Sequence, residues 1–198
     1  IVPGENVKVV FPQDDSGARA SVDKGIVFVS TGMLNHGKVD ITIGAMIHEL
    51  NQSMPDNLGI CRIHVAGDFF SPDYMFAWIN MAMMHSDRLF YAYTKSLKYW
   101  LQHMEWIEKL DNFILTASYG GRDDDLIFKH GLRHCDVITS PADTLLLIDH
   151  DDSHAANPTW RDESFALLIH GTQPAGSDAA SALKELKGKG TYSRKATV

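Results

Sequence analysis

Cysteine is scarce in this chain, with two residues, Cys61 and Cys135, among 198. They lie far apart, each beside an apolar run, and no Cys-x-x-Cys pair occurs. A disulfide framework is therefore excluded, and two buried free thiols are expected. Such cysteine use suits a reducing compartment. Long apolar stretches are missing too. No run of 18 apolar residues is present, so no segment is expected to span a membrane. Basic residues are outnumbered, 18 Lys and Arg against 25 Asp and Glu, giving a net charge of −7. That field repels phosphate, so nucleic-acid binding would need a local basic patch. The one basic cluster, from Lys184 to Lys195, reads as a solvated tail.

Several catalytic signatures fail as well. His48-Glu49 begins a zincin-like pattern, but position 52 is Gln. No Gly-x-Ser-x-Gly and no Gly-Lys-Ser/Thr phosphate loop is found. What remains is a globular composition, 44% hydrophobic and 22% charged, able to build a full core. We expect one α/β domain over residues 1–198, with a weakly patterned segment at 1–24 and the basic tail at 188–198.

Strand-length apolar runs alternate with helical spacing. Strands are predicted at GIVFVS (25–30), CRIHVA (61–66), RLFYAY (88–93), NFILTA (112–117), DVIT (136–139), LLLI (145–148) and FALLI (165–169). Helices are predicted over 38–54, from Ser71-Pro72-Asp73, over 97–107, near 123–129, and from Ser177 to Gly188. This rhythm gives βαβ units and a mostly parallel sheet covered on both faces. Met81, Met83 and Met84 read as core filler, as do Trp78, Trp100 and Trp106.

Polar residues gather after the strands. In a parallel sheet those positions share one edge, where ligands bind. Asp68, after Gly67, could act as an acid or base with Lys95 beside it; the plain alternative is a helix cap or a structural pair. The run Asp149-His150-Asp151-Asp152-Ser153-His154 is the densest. Asp149, Asp151 and His154, with His64, could bind a divalent metal; the alternative is a solvated acidic loop. Two loops could cradle an anion or a nucleotide-like ligand: Gly120-Gly121, and Gly171, Thr172 and Gln173 leading to Ser177. Tight turns are the alternative for both.

The stretch RIHVAGDFFSPDYMFAWINMA followed by LFYAYTKSLKYWL resembles the bacteriophage gene product 88 family. The matching residues are Arg62, His64, Gly67, Asp68, Phe69, Ser71, Trp78, Tyr93, Thr94, Lys95 and Ser96. LTASYGG, IDHDDSHA and FALLIHGTQPAG extend the likeness, to cover roughly residues 58–180. It implies a phage protein, placed in the host cytoplasm or the virion, and assigns no reaction. A more distant similarity, to radical S-adenosylmethionine barrels, implies a partial or distorted (β/α) barrel like part of a TIM barrel. Members usually carry an upstream cysteine cluster for iron and sulfur. Two isolated cysteines cannot hold such a cluster. Two roles follow as expectations: an enzyme or binding barrel for a small molecule or nucleotide, or a non-enzymatic accessory or virion protein with a phage protein partner.

Overall fold

The computed structural model describes residues 26–28, 42–64, 67–169 and 175–186. Its elements run β1 (Ile26–Phe28), α1 (Ile43–Ser53), β2 (Ile60–Arg62), α2 (Pro72–Met84), β3 (Leu89–Thr94), α3 (Leu97–Gln102) and α4 (Met104–Ile107). They continue with β4 (Phe113–Ser118), α5 (Asp125–His130), β5 (His134–Ile138), β6 (Ile148–Asp149), β7 (Phe165–Leu168) and α6 (Asp178–Leu186). The sheet has seven strands in the order β1-β2-β3-β4-β5-β7-β6. Every pairing is parallel. It curls into a half-barrel: the alternating pattern predicts the parallel α/β sheet, and the partial barrel is the form that the family resemblance implies.

Local signals explain the main helices. Ser71 caps α2 by accepting the Tyr74 N–H at 3.1 Å, with Pro72 in the first turn and Asp73 at the positive end of the dipole. Helix α2 buries Tyr74, Met75, Ala77, Trp78, Ile79, Met81 and Ala82, so it is apolar on most sides. Met83 and Met84, at its end, are exposed and do not fill the core. The helix predicted over 97–107 divides at His103, whose ring bonds the Pro72 carbonyl at 3.0 Å and stacks on Phe76. Past that break Trp106 is exposed, beneath the Lys109 ammonium, while Trp78 and Trp100 are buried as expected.

The run LLLI is mostly not a strand. Only Ile148 and Asp149 pair with β7, and Leu145 and Leu147 are exposed. Ser140 starts a 3-10 turn instead, in a capping box with Asp143. Strand β2 is also shorter than predicted. His64 takes a left-handed φ of 67°, which ends regular pairing.

Strand alternation sorts the side chains onto two faces. One face carries Cys61, Ile63, Phe90, Ala92, Phe113, Leu115 and Ala117, packed under α1, α2 and α3. Further along the same face Ile138, Ala166 and Leu168 pack with α6. The other, concave face carries Tyr91, Ile114, Cys135, Phe165 and Leu167. No helix covers it. Ala155 and Ala156, from the connection between β6 and β7, pack there instead.

The strand order explains that cover. Chain order and spatial order agree from β1 to β5 and then reverse, because β7 lies between β5 and β6. Parallel crossovers are right-handed. A connection that steps backwards along the sheet must therefore cross the face opposite the helices. The β6–β7 connection does so, and it brings an acidic loop into the half-barrel.

Candidate functional site

Asp152 is the centre of the concave face. It lies in the loop after β6, is 6% exposed, and adopts a left-handed φ of 61°. Its Oδ2 accepts from the Arg62 guanidinium at 2.7 Å and from the Tyr91 hydroxyl at 3.0 Å. Its Oδ1 accepts from the Tyr93 hydroxyl at 2.9 Å. Arg62 and Tyr91 are register partners on β2 and β3, and Tyr93 follows two residues on, facing the same way. The Arg62 guanidinium also lies over the Tyr93 ring, 4.9 Å from its centroid. An edge-strand loop thus reaches β2 and β3, because the sheet curls towards it.

Beside this cluster opens a cavity of about 360 Å³, lined by Arg62, Tyr93, Ser118, Cys135, Val137, Asp152 and Leu167. All but Asp152 are strand residues of the concave face. Burial pushes the Cys135 thiol up to about 12, and it lies deep rather than as a reactive thiolate. Cys61, on the helix face, is also buried and pushed up to about 12 by desolvation. Both cysteines are free and buried, as the sequence predicts.

The strand-end residues fall at the rim. Asp68 does not form an ion pair with the Lys95 ammonium. Its carboxylate accepts from the Phe69 N–H at 2.7 Å, the Thr94 hydroxyl at 2.6 Å and the Lys95 backbone N–H at 2.6 Å. It therefore stitches the end of β2 to the end of β3. Gly67, at φ 83°, supplies the left-handed turn that aims it there. The Lys95 ammonium reaches across to β4, donating to the Ser118 hydroxyl at 3.2 Å and to the carbonyls of Ser118 and Tyr119. The Ser118 that it meets also lines the concave cavity.

The Gly120-Gly121 loop already holds an anion of its own. Both N–H groups donate to the Asp124 carboxylate, at 2.8 and 2.9 Å, so the loop is a closed turn and not an open cradle. Gly171, Thr172 and Gln173, with His170, lie outside the described residues. Ser177 does cap a helix, accepting the Ala180 N–H at 3.1 Å.

The four residues read as a metal set do not converge. Among the described residues no three His, Cys, Asp or Glu side chains gather round one point. Asp149 is 2% exposed and spends both oxygens on its own loop: Oδ1 accepts from the Asp151 N–H, and Oδ2 from the N–H groups of His154 and Ala155. Asp151 is exposed and its Oδ1 accepts from the Ser153 N–H. His154 is buried, stacked on Trp160 at 4.8 Å and against Phe165. Arg133 fastens the far end of the loop, donating to the carbonyls of His154, Ala155 and Glu163. The loop is a built plug rather than a solvated turn.

His64 faces the helix side, away from that loop. It is 5% exposed and packs edge-on to Phe69 at 4.6 Å. Neither of its ring nitrogens has a partner among the described residues. Burial lowers its pKa to about 3. A depressed folded-state value means that stability is fully present above pH 6.5. It then falls by about 1.4 kcal/mol per pH unit as pH drops towards 3. His64→Asn, which tolerates the left-handed backbone, is expected to flatten this acid limb. Urea unfolding between pH 4 and 7 checks it; parallel curves for the two proteins would contradict the assignment.

Sequence reading missed Arg62, Tyr91, Tyr93 and Asp152 as one site. The usable signal was present: RLFYAY places Tyr91 and Tyr93 on one face, opposite to Phe90 and Ala92, so two hydroxyls share a face of a buried strand. The pairing to Asp152 depends on the reversal of strand order, which has no local signature.

No helix among the described residues is long and apolar enough to cross a membrane. Comparison with curated proteins and with solved structures returns no match. The family model described as "Gene product 88" matches residues 31–187, which takes in α1, the whole β2–β3 strand-end region, the plug loop and α6. The chain belongs to the gene product 88 family of phage proteins.

Proposed function

We propose that this phage protein binds a small organic ligand in the concave face of its half-barrel, at the carboxyl ends of the strands. The observation that carries this reading is the 360 Å³ cavity, in which an ion pair, a phenol and a hydroxyl face Val137 and Leu167. That volume falls within the range of small-molecule sites, and the mixture of apolar walls with a few converging polar groups is their usual lining. Its place supports the same reading. Residues of β5 and β7 line it, where the strand order reverses, and open α/β sheets bind ligands beside such reversals.

A purely structural virion role fits less well. A scaffold gains more from apolar packing than from a buried ion pair, which is often neutral or unfavourable against hydrophobic replacements. In this reading Lys95 is the rim cation that meets a polar end of the ligand. Asp68 is a positioning residue that holds the rim through β2 and β3.

Ligand-observed NMR with a panel of nucleotides, sugars and small carboxylic acids tests the proposal. At least one class is expected to bind the unaltered protein and to lose binding in Val137→Trp. Val137 is 59% exposed, so an indole there fills the cavity with little disturbance of the core. Absence of binding across the panel, or binding indifferent to Val137→Trp, would overturn the reading.

A further inference from the structure

We infer that Arg62, Tyr91 and Tyr93 form a receptor for a single carboxylate, that Asp152 occupies it in this structure, and that a carboxylate of an incoming ligand takes its place. The inference rests on the cavity being a ligand site, and it names the chemistry of that ligand.

Three donors from two neighbouring strands converge on the two oxygens of one carboxylate, at 2.7, 3.0 and 2.9 Å. The guanidinium and both hydroxyls are fixed by β2–β3 register and by the Arg62 contact with the Tyr93 ring. The receptor is thus part of the rigid sheet. Its occupant is not. Asp152 arrives on a connection without regular structure between its flanking strands and the 3-10 turn at Pro158–Trp160. It also holds a left-handed φ of 61°, a conformation non-glycine residues adopt only when their contacts hold them there. A rigid donor set filled by a strained loop residue, facing a cavity, is arranged for exchange. Release of Asp152 relieves the backbone, and the ligand's carboxylate takes up the three hydrogen bonds that Asp152 gives up. The anchors on either side of Asp152 keep the motion local. Asp149 holds the N–H groups of His154 and Ala155, and Arg133 holds the carbonyls of the same two residues. Residues 150–153 are held by bonds within the loop alone, from the Asp151 N–H to Asp149, the Ser153 N–H to Asp151 and the Ala156 N–H to the Asp152 carbonyl at 2.9 Å, so exchange breaks local turns there while 154–155 stay fastened.

The test uses acetate as a stand-in for the missing side chain. In Asp152→Ala the three donors lose the Asp152 carboxylate. Acetate at ten times its dissociation constant is expected to raise the melting temperature of that variant by about 4 °C, saturably. The same acetate should do nothing for Arg62→Gln/Asp152→Ala. If Asp152→Ala does not fold, Asp152→Gly removes the same carboxylate and suits the left-handed backbone, so it takes the place of the alanine variant. In the unaltered protein, saturating acetate should speed hydrogen exchange at residues 150–153 and leave β3 unchanged. The inference is overturned if acetate has no saturable effect on the emptied receptor, if the effect survives loss of Arg62, or if inorganic phosphate acts as strongly as acetate. Ligand binding that is lost in Val137→Trp alongside a failed acetate rescue would remove the receptor and leave the cavity. Successful rescue with no ligand from the panel would remove the cavity reading instead.

Discussion

Asp152→Ala is expected to destabilise the fold by about 3 kcal/mol, near the lower end of what removing one partner of a buried ion pair costs. The cost lies at the low end because the Arg62 side chain keeps 26% of its exposure and can recover some hydration, whereas Asp152 keeps 7%. The loss has three parts. Arg62 keeps its charge without its carboxylate, and the Tyr91 and Tyr93 hydroxyls lose the acceptor they share. For a chain of this size the melting temperature should fall by about 9 °C. A paired apolar replacement, Arg62→Met with Asp152→Leu, should recover much of that, because it removes the charge that has lost the Asp152 carboxylate and fills the space with apolar groups. Thermal and urea unfolding of the three proteins measure this directly.

Asp149→Ala should have an effect of similar size for a different reason. One buried carboxylate accepts the N–H groups of Asp151, His154 and Ala155, so its removal strands three backbone donors in a connection with no ladder of its own. At about 1 kcal/mol for each, the loss is about 3 kcal/mol. Asp149→Asn should cost less, because the amide oxygen can still serve His154 and Ala155 while its NH2 group turns against the Asp151 N–H. Hydrogen exchange separates this from a general weakening. The His154 and Ala155 amides should lose protection in Asp149→Ala before β3 and β4 do. Equal loss everywhere would mean that Asp149 acts only through global stability.

The sheet and most helices were legible in the sequence because their signals are local. Ser71-Pro72-Asp73 marks α2 by chemistry that acts within one turn, and RLFYAY and NFILTA are strands whose burial is nearly complete. LLLI misled because an apolar run reports hydrophobicity, not pairing, and Leu145 and Leu147 face outwards. Asp68 and Lys95 lie past the carboxyl ends of β2 and β3, but their bonds were not foreseeable: the carboxylate takes the Lys95 backbone N–H, and the ammonium goes to β4. The acidic run after β6 was singled out for its composition. Its members point apart, however: Asp149 into its own loop, Asp152 to Arg62, and His154 against Trp160. Which one reaches the concave face depends on β7 inserting beside β5, a long-range event with no counterpart in spacing or periodicity.

That the plug loop carries Asp152 onto Arg62 across the half-barrel is tested most directly by a double-mutant cycle of Arg62→Gln and Asp152→Asn, read by urea unfolding. The residues stand 90 positions apart in sequence, so only the fold brings them together. A coupling free energy of at least about 1.5 kcal/mol is expected. Additive effects, agreeing within about 0.3 kcal/mol, would contradict the pairing and the site built on it.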